Sequence, residues 1–252
     1  MADPERGRQD YEQEHIPGAL FAHLNEDLSS PRIPGVTGRH PLPPVDELAA
    51  RFSEWGIDQQ VQVVAYDDSG DSIAARLWWL LNWLGHQAVA VLDGDWRKWK
   101  REGRPTRGSV VLRSPRHFTP HPRWDLLITT SEIESQLLSI DHKLFDARTA
   151  DRYSGKNETI DPIAGHIPGA ISVPYPDNLK LDGTFRSAEE LRARFTALFG
   201  ETSIDHSAFY CGSGVTATHN VLAMKHAGLG DTKLYAGSWS EWITDPKRPI
   251  VK

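Results

Sequence analysis

The pentapeptide His-Ile-Pro-Gly-Ala occurs twice in this chain, at His15–Ala19 and again at His166–Ala170. Two further pairs of short segments follow in the same order in each half. They are Tyr66-Asp67 with Tyr210-Cys211, and Gly94-Asp95-Trp96 with Gly237-Ser238-Trp239. Matches that keep their order at a nearly constant spacing indicate a duplicated domain, and the small drift in spacing indicates insertions in loops.

Each half also repeats one order of predicted elements. In the first half, the β-branched run Val61–Tyr66 precedes a polar loop, a helix with apolar residues from Ile73 to Leu84 on one side, and the apolar run Val89–Leu92. The second half follows suit with His206–Tyr210, Thr216–Ala227 and Lys233–Tyr235. Strand, loop, helix and strand in this order predict an α/β fold, with two tandem domains that each have a parallel sheet flanked by helices.

The boundary between the halves is the least regular part of the chain. Residues Arg101–Pro122 mix Arg, Gly, Pro and His without helical or strand periodicity. We therefore predict a non-catalytic domain over residues 1–110, a linker over 111–124 and a catalytic domain over 125–252.

Composition narrows the classes of partner. The formal net charge is −6 and no long basic run offsets it, so we expect neither a nucleic acid nor a membrane as partner. The chain has one cysteine, which excludes an internal disulfide. Residues Met1–Gln9 are polar, and the most apolar stretch, Leu77–Leu84, is too short to span a bilayer. We expect a cytoplasmic protein.

That cysteine, Cys211, opens the loop 211–217 between an apolar strand and a helix. Ligands of open parallel sheets bind at the carboxyl ends of strands, which is where this loop lies. Its glycines allow main-chain N–H groups to point inward, and the following helix adds the positive end of its dipole. Both effects favour a thiolate, so Cys211 is a candidate nucleophile. Asp67 holds the equivalent place in a loop one residue longer, which indicates one working site and one degenerate copy.

Less specific interpretations exist for the candidate residues. A lone cysteine is often a small buried hydrophobic residue, Ser213 has the position of a helix N-cap, and His40 lies in a Pro-rich loop typical of solvated surface. His117 and His121 have a spacing seen in metal sites, but Pro120 breaks the helix and no third ligand is evident. We expect no metal site and no cofactor.

The sequence Cys-Gly-Ser-Gly-Val-Thr-Ala at 211–217, with Gly-Ser-Trp-Ser-Glu-Trp at 237–242, resembles the tandem-domain rhodanese-type sulfurtransferases, in particular their 3-mercaptopyruvate branch. With both His-Ile-Pro-Gly-Ala segments, the resemblance covers nearly the whole chain. It implies an enzyme that moves sulfane sulfur from 3-mercaptopyruvate, a small-molecule donor, to an acceptor through a persulfide on Cys211. The implied acceptors are a thiol, a thioredoxin-like protein or cyanide.

The resemblance also implies roles for particular residues. Cys211 is the implied nucleophile, and Ser213 hydrogen-bonds the substrate or relays a proton. Arg152 matches the family arginine that binds the substrate carboxylate, and His40 matches a histidine that faces the serine across the domain interface. From the sequence itself, Trp96, Trp99, Trp239 and Trp242 are interpreted as packing in the core and between the domains, and Trp239 is expected also to line the pocket. The persulfide lies in a cradle of main-chain N–H groups from Gly212, Gly214, Val215, Thr216 and Ala217.

Three positions depart from the family pattern. Lys156–Ile163 contains no arginine where a second substrate arginine is expected, so we expect carboxylate binding to rest on Arg152 alone. Asn25 stands where the serine–histidine–acid relay has an aspartate. A strand ending at Arg148 precedes His166, whereas only Met1–Glu14 precede His15, so we expect the first domain to lack its opening strand.

Two alternatives stay open. One is thiosulfate as donor, although thiosulfate-preferring members usually carry basic residues in the loop and this loop has none. The other is a sulfur-carrier or binding module with impaired turnover. Phosphatases and arsenate reductases with a similar loop need an arginine at the end of a Cys-x5-Arg segment, where this chain has Ala217. That class is disfavoured.

Overall fold

The computed structural model describes residues 4–136 and 142–252, which form two parallel β-sheets. The strands are β1 (Val63–Ala65), β2 (Val89–Val91), β3 (Lys143–Asp146), β4 (Ile171–Ser172), β5 (Ser207–Tyr210) and β6 (Lys233–Leu234). In the first domain β1 pairs with β2, and in the second the order is β4-β3-β5-β6. Because every pair is parallel, the carboxyl ends of the strands in a sheet lie along the same edge.

Helices flank both sheets, as the sequence predicts. They are α1 (Pro4–Gln13), α2 (Val45–Glu54), α3 (Ala74–Trp83), α4 (Asp95–Arg101), α5 (Thr130–Gln136), α6 (Ala150–Tyr153), α7 (Ala188–Phe199), α8 (Ala217–His226) and α9 (Ser238–Trp242), with 3-10 helices at Trp124–Leu126, Tyr175–Asn178 and Ile204–His206. The predicted elements are all present, and several are a few residues shorter than predicted at their ends, where such boundaries vary between definitions.

Helices α3 and α8, which follow the two loops, pack against each other and join the domains. Helix α3 is apolar almost all round and buries Trp79 and Leu80, while α8 buries Val221 and Met224. These side chains belong to one core cluster that extends through both domains. Burial of each large apolar side chain contributes about 1.5–3 kcal/mol, so this contact holds the first domain firmly against the second.

The duplication extends to hydrogen bonds at the two pentapeptides. His15 stacks on Tyr11 with ring centroids 4.1 Å apart, and His166 stacks on Tyr153 at 3.8 Å. In each pair the histidine Nδ1 lies within hydrogen-bond distance of the tyrosine carbonyl, at 2.6 Å and 2.9 Å. Such matched contacts confirm the repeat that the sequence predicts.

The turns after the last strand of each repeat also correspond. The Trp96 N–H donates to the Asp67 carbonyl at 2.9 Å, and the Trp239 N–H donates to the Cys211 carbonyl at 3.0 Å. The residue before each tryptophan, Asp95 or Ser238, has a φ of 56°. Asp67 and Cys211 are therefore equivalent positions in space as well as in sequence.

The two sheets differ in their number of strands. In the second domain β3 precedes the pentapeptide at His166 and forms the centre of the sheet with β5. In the first domain the described residues before His15 form α1, and no strand precedes β1 in the part of the chain that the structure describes. Within the described residues, the first sheet thus contains no counterpart of β3.

None of the helices within the described ranges is both long enough and apolar enough to cross a bilayer. The cytoplasmic location stays a prediction, as do the domain and linker boundaries at residues 110 and 124.

Candidate active site

Cys211 follows β5 directly and is 1% exposed. Its N–H donates to the Ser238 hydroxyl at 3.1 Å, and its carbonyl accepts from the Trp239 N–H. The next carbonyl, of Gly212, accepts from the Ser240 N–H at 2.9 Å. Helix α9 therefore holds the start of the loop through two main-chain bonds and the Ser238 hydroxyl, which fixes the position of the thiol.

The rest of the loop turns sharply at Gly214, which has a φ of +74°. A Cβ at this position would lie 2.2 Å from the Ala236 carbonyl oxygen, so only glycine fits. The N–H groups of residues 212–216 donate to no acceptor within the described ranges. Helix α8 begins at Ala217, and the loop presents unpaired donors beside its positive end.

The equivalent loop of the first domain contains its own anion. The Asp67 Oδ1 accepts from the N–H groups of Ser69 (2.8 Å) and Asp71 (2.9 Å). Its Oδ2 accepts from Ile73 (2.7 Å) and Ala74 (2.9 Å). A carboxylate of the chain thus satisfies the donors that would bind an external anion. This geometry supports one working site and one degenerate copy.

Ser213 faces the first domain. Its Oγ lies 2.7 Å from the His40 Nδ1, and both side chains are buried. The N-cap of α8 is Thr216, without a side-chain cap, so the Ser213 hydroxyl is engaged with His40 and not with the helix. The alternative interpretation of His40 as a solvated surface residue is wrong, because the segment Gly38–His40 packs against α9.

Burial lowers the pKa of His40 to about 4, with the charges of Arg76 and Arg39 acting in the same direction. At neutral pH its imidazole is therefore uncharged and has one nitrogen free to accept a proton. Asn25 is exposed and forms no hydrogen bond with His40 in the described residues. Ser213 and His40 thus form a pair, and Asn25 does not serve as its third member.

Two guanidinium groups lie over the loop, where the sequence predicts one. A Cβ at Gly212 would lie 2.7 Å from Arg39 Nη2 and 3.3 Å from Arg152 Nη2. Arg152 comes from the second domain, but Arg39 comes from the first domain. The sequence predicts one arginine at this loop, and the structure places a second guanidinium there. This second arginine lies next to His40 in the chain.

Buried carboxylates hold both arginines in place. Asp161 pairs with Arg39 through one oxygen and with Arg152 through the other, the latter at 3.0 Å. Glu158 accepts from Arg152 at 2.9 Å. Burial favours the neutral form of Glu158, but hydrogen bonds from Arg152 and from main-chain N–H groups outweigh it and hold the pKa of this carboxyl below its ordinary value. Burial lowers the pKa of Arg39, and Asp161 and Cys211 oppose that effect.

The remaining predicted residues have less direct contact. Val215 is buried and Thr216 is partly exposed at the end of the loop. Trp239 is fully buried; its indole N–H donates to the Ile163 carbonyl, and Arg148 stacks on its ring at 4.9 Å. The indole belongs to the core of the second domain. The contact of Trp239 with the loop is its main-chain bond to Cys211.

A model of the rhodanese-like domain matches residues 5–102 and again residues 129–245. A probable 3-mercaptopyruvate sulfurtransferase of Pseudomonas aeruginosa is 49% identical over 253 residues, covering 100% of this chain and 89% of that protein. A thiosulfate sulfurtransferase of Mus musculus is 34% identical, over 94% of this chain and 80% of that protein. Among solved structures, the 3-mercaptopyruvate sulfurtransferase from Leishmania major has a TM-score of 0.84 at 32% identity, over 96% of this chain and 67% of that one. The chain belongs to the rhodanese-like family.

Proposed function

We propose that this protein is a sulfurtransferase that takes sulfane sulfur from 3-mercaptopyruvate onto Cys211 and passes it to a thiol or cyanide. The observation that carries this proposal is the arrangement at the loop. Cys211 opens a loop with unpaired main-chain donors, and the guanidinium groups of Arg39 and Arg152 lie next to Gly212. A nucleophile, an anion cradle and a carboxylate site thus lie together.

In the first half-reaction, the Cys211 thiolate attacks the sulfur of 3-mercaptopyruvate. An S–S bond forms to Cys211 and the C–S bond breaks, so the electron pair leaves with the three-carbon fragment as the pyruvate enolate. The donors at residues 212–216 stabilise the negative charge on the persulfide. The substrate thiol loses one proton and the enolate carbon gains one, so the step needs no other reactant.

Ser213 and His40 are suited to relay that proton. The Ser213 hydroxyl lies 2.7 Å from the neutral His40 ring, which accepts as the serine takes a proton from the substrate. The same pair then returns the proton to the enolate.

The carboxylate of the donor binds to Arg39 and Arg152. Guanidinium groups hold carboxylates through paired N–H donors, and two of them fix both the position and the rotation of the donor. Because Asp161 bridges the two arginines, each restrains the other before the substrate arrives. Substrate binding in this arrangement depends on contact between the two domains.

In the second half-reaction, an acceptor attacks the outer sulfur and Cys211 leaves as thiolate. The S–S bond extends the reactive atom by about 2 Å from the buried Cys211 sulfur, which brings it closer to the acceptor. A thiol acceptor, free or on a thioredoxin-like protein, becomes a persulfide, and cyanide becomes thiocyanate. We propose no nucleic acid or membrane partner.

The test is intact mass spectrometry after brief exposure to 3-mercaptopyruvate or, separately, to thiosulfate. We expect a gain of one sulfur atom, about 32 Da, which appears faster with mercaptopyruvate and does not appear in Cys211→Ser. Absence of the gain with both donors in folded protein would overturn the proposal and favour a carrier or binding module.

Thiosulfate is the second candidate donor. Two adjacent guanidinium groups also suit a sulfonate-like dianion, and a relative of similar extent is a thiosulfate sulfurtransferase. A faster gain of mass with thiosulfate than with mercaptopyruvate would select this donor.

A further inference from the structure

Arg76 lies in the first turn of α3, in the first domain, and is 0% exposed. Its Nη1 donates to the Gly214 carbonyl of the catalytic loop at 3.1 Å. Its Nη2 donates to the carbonyls of Leu28 and His40, both at 3.3 Å. The guanidinium therefore joins the loop of the second domain to two segments of the first.

All of these acceptors are neutral carbonyls. Among the residues that the structure describes, no carboxylate pairs with Arg76, and its Nε has no partner. Arg148 is buried to a similar extent, but it pairs with Asp146 at 2.6 Å. A buried charge without an ion pair costs several kcal/mol, so an unpaired Arg76 requires an explanation.

Cys211, when ionised, is the group that favours the charged form of Arg76. Burial lowers the pKa of Arg76 to about 10, and the interaction with Cys211 opposes that effect. The Coulomb interaction between two groups is mutual, so a cation that is stabilised by a thiolate stabilises that thiolate equally.

We propose that Arg76 is a positioning residue that supplies the buried counter-charge for the Cys211 anion and holds it beside the loop through the Gly214 carbonyl. For the persulfide this rests on the proposed function; for the thiolate it does not. The proposal also gives the inactive domain an electrostatic role in addition to Arg39 and His40.

The arginines at the loop differ in how far neighbouring carboxylates neutralise their charge. Arg39 and Arg152 each pair with Asp161, and Arg152 also pairs with Glu158. Arg76 has no such partner in the described part of the chain, so no carboxylate there competes with Cys211 for its charge. Within the described residues, the other titratable or charged groups around the loop are Arg39, His40, Arg152, Glu158, Asp161 and Tyr175.

The test is the rate at which iodoacetamide alkylates Cys211 as a function of pH, which depends on thiolate and not on any sulfur donor. Arg76→Gln keeps a side-chain donor but loses the charge, and we expect its rate at neutral pH to fall about tenfold with a curve displaced to higher pH. Arg76→Lys keeps the charge, and we expect a rate within about threefold of the wild type. Leu80→Ala destabilises the same helix without changing its charge and should leave the curve in place.

His40 gives a second readout by NMR titration of its imidazole. Because the charge of Arg76 helps to lower its pKa, we expect the titration to move upward in Arg76→Gln and to stay near the wild type in Arg76→Lys. Equal alkylation curves in the wild type and Arg76→Gln would overturn the proposal. If Arg76→Gln does not fold and Arg76→Lys does, a tenfold loss of the alkylation rate in Arg76→Lys would also overturn the proposal.

These outcomes are separate from those of the sulfur-transfer experiment. A displaced alkylation curve without persulfide formation would retain the role of Arg76 and reject the proposed function. Persulfide formation with an unchanged alkylation curve would retain the proposed function and reject the role of Arg76.

Discussion

The Nδ1 of His40 lies 2.7 Å from the Oγ of Ser213, although the two residues belong to different domains. The same part of the first domain places Arg39 over Gly212, and α3 places Arg76 against Gly214. The first domain thus supplies three side chains to the loop that contains Cys211. Its packing against α8 is a condition for an intact site.

We expect Ser213→Ala and His40→Asn to slow persulfide formation from 3-mercaptopyruvate by about 100-fold, because each would break the proposed proton relay. The measurement is the rate of pyruvate release in a single turnover. Alkylation of Cys211 by iodoacetamide should change little, since it requires no proton relay.

Thr216→Ala is the matched control for this pair, because it removes a hydroxyl from the same loop at a residue outside the proposed relay. We expect it to retain most of the rate. A Ser213→Ala protein as fast as Thr216→Ala would exclude the serine from the mechanism.

Arg39→Met and Arg152→Met should each raise the KM for 3-mercaptopyruvate by about tenfold or more, because charge-assisted hydrogen bonds contribute roughly 1.5–3 kcal/mol. Steady-state kinetics measure this. Arg116→Met removes an arginine that is half-exposed and paired with Asp58, and its KM should stay unchanged. If only Arg152→Met affects KM, the carboxylate does not contact the first domain.

Much of the fold and the position of the nucleophile could be predicted because they are local in sequence. The strand before Cys211 and the helix after it have a clear apolar pattern, and the repeated pentapeptides fix the order of the domains. The glycines of the loop are also a local signal. The structure explains Gly214, where a side chain would overlap the Ala236 carbonyl.

The sequence does not predict Arg39 and Arg76 as site residues, because their contacts with the loop depend on how the domains pack. The sequence signal for Arg39 is its position beside His40; by residue type alone it resembles a surface arginine. The signal for Arg76 is weaker: it is a charged residue within the apolar run of α3, a helix that is buried almost all round. Such a residue indicates a buried polar contact but does not identify its partner.

Gly214→Ala should destabilise the protein by about 2–4 kcal/mol, because it combines a strained positive φ with overlap of the Ala236 carbonyl. Gly183→Ala is the control, since Gly183 has a φ of +86° but no atom within 4 Å of the added Cβ. It should cost only about 1 kcal/mol. Thermal melting of the two variants measures the difference, and equal losses would show that strain alone determines the glycine.

Asp71 is the source of the last prediction, which concerns pH. It is fully buried, and burial together with the charges of Asp67, Asp95 and Asp93 raises its pKa to about 8. Between about pH 4 and pH 8 the folded protein keeps this proton while the unfolded chain loses it, so its contribution to stability is complete at low pH and is lost as the pH rises through that range.

Asp71→Asn removes this pH dependence of stability, and asparagine tolerates the φ of 62° at this position. We expect its stability relative to the wild type to increase by about 2–4 kcal/mol from pH 5 to pH 8, measured by melting at both. The exposed Asp68→Asn, with the same change of charge, should show no such increase, and equal behaviour of the two variants would contradict the assignment to Asp71.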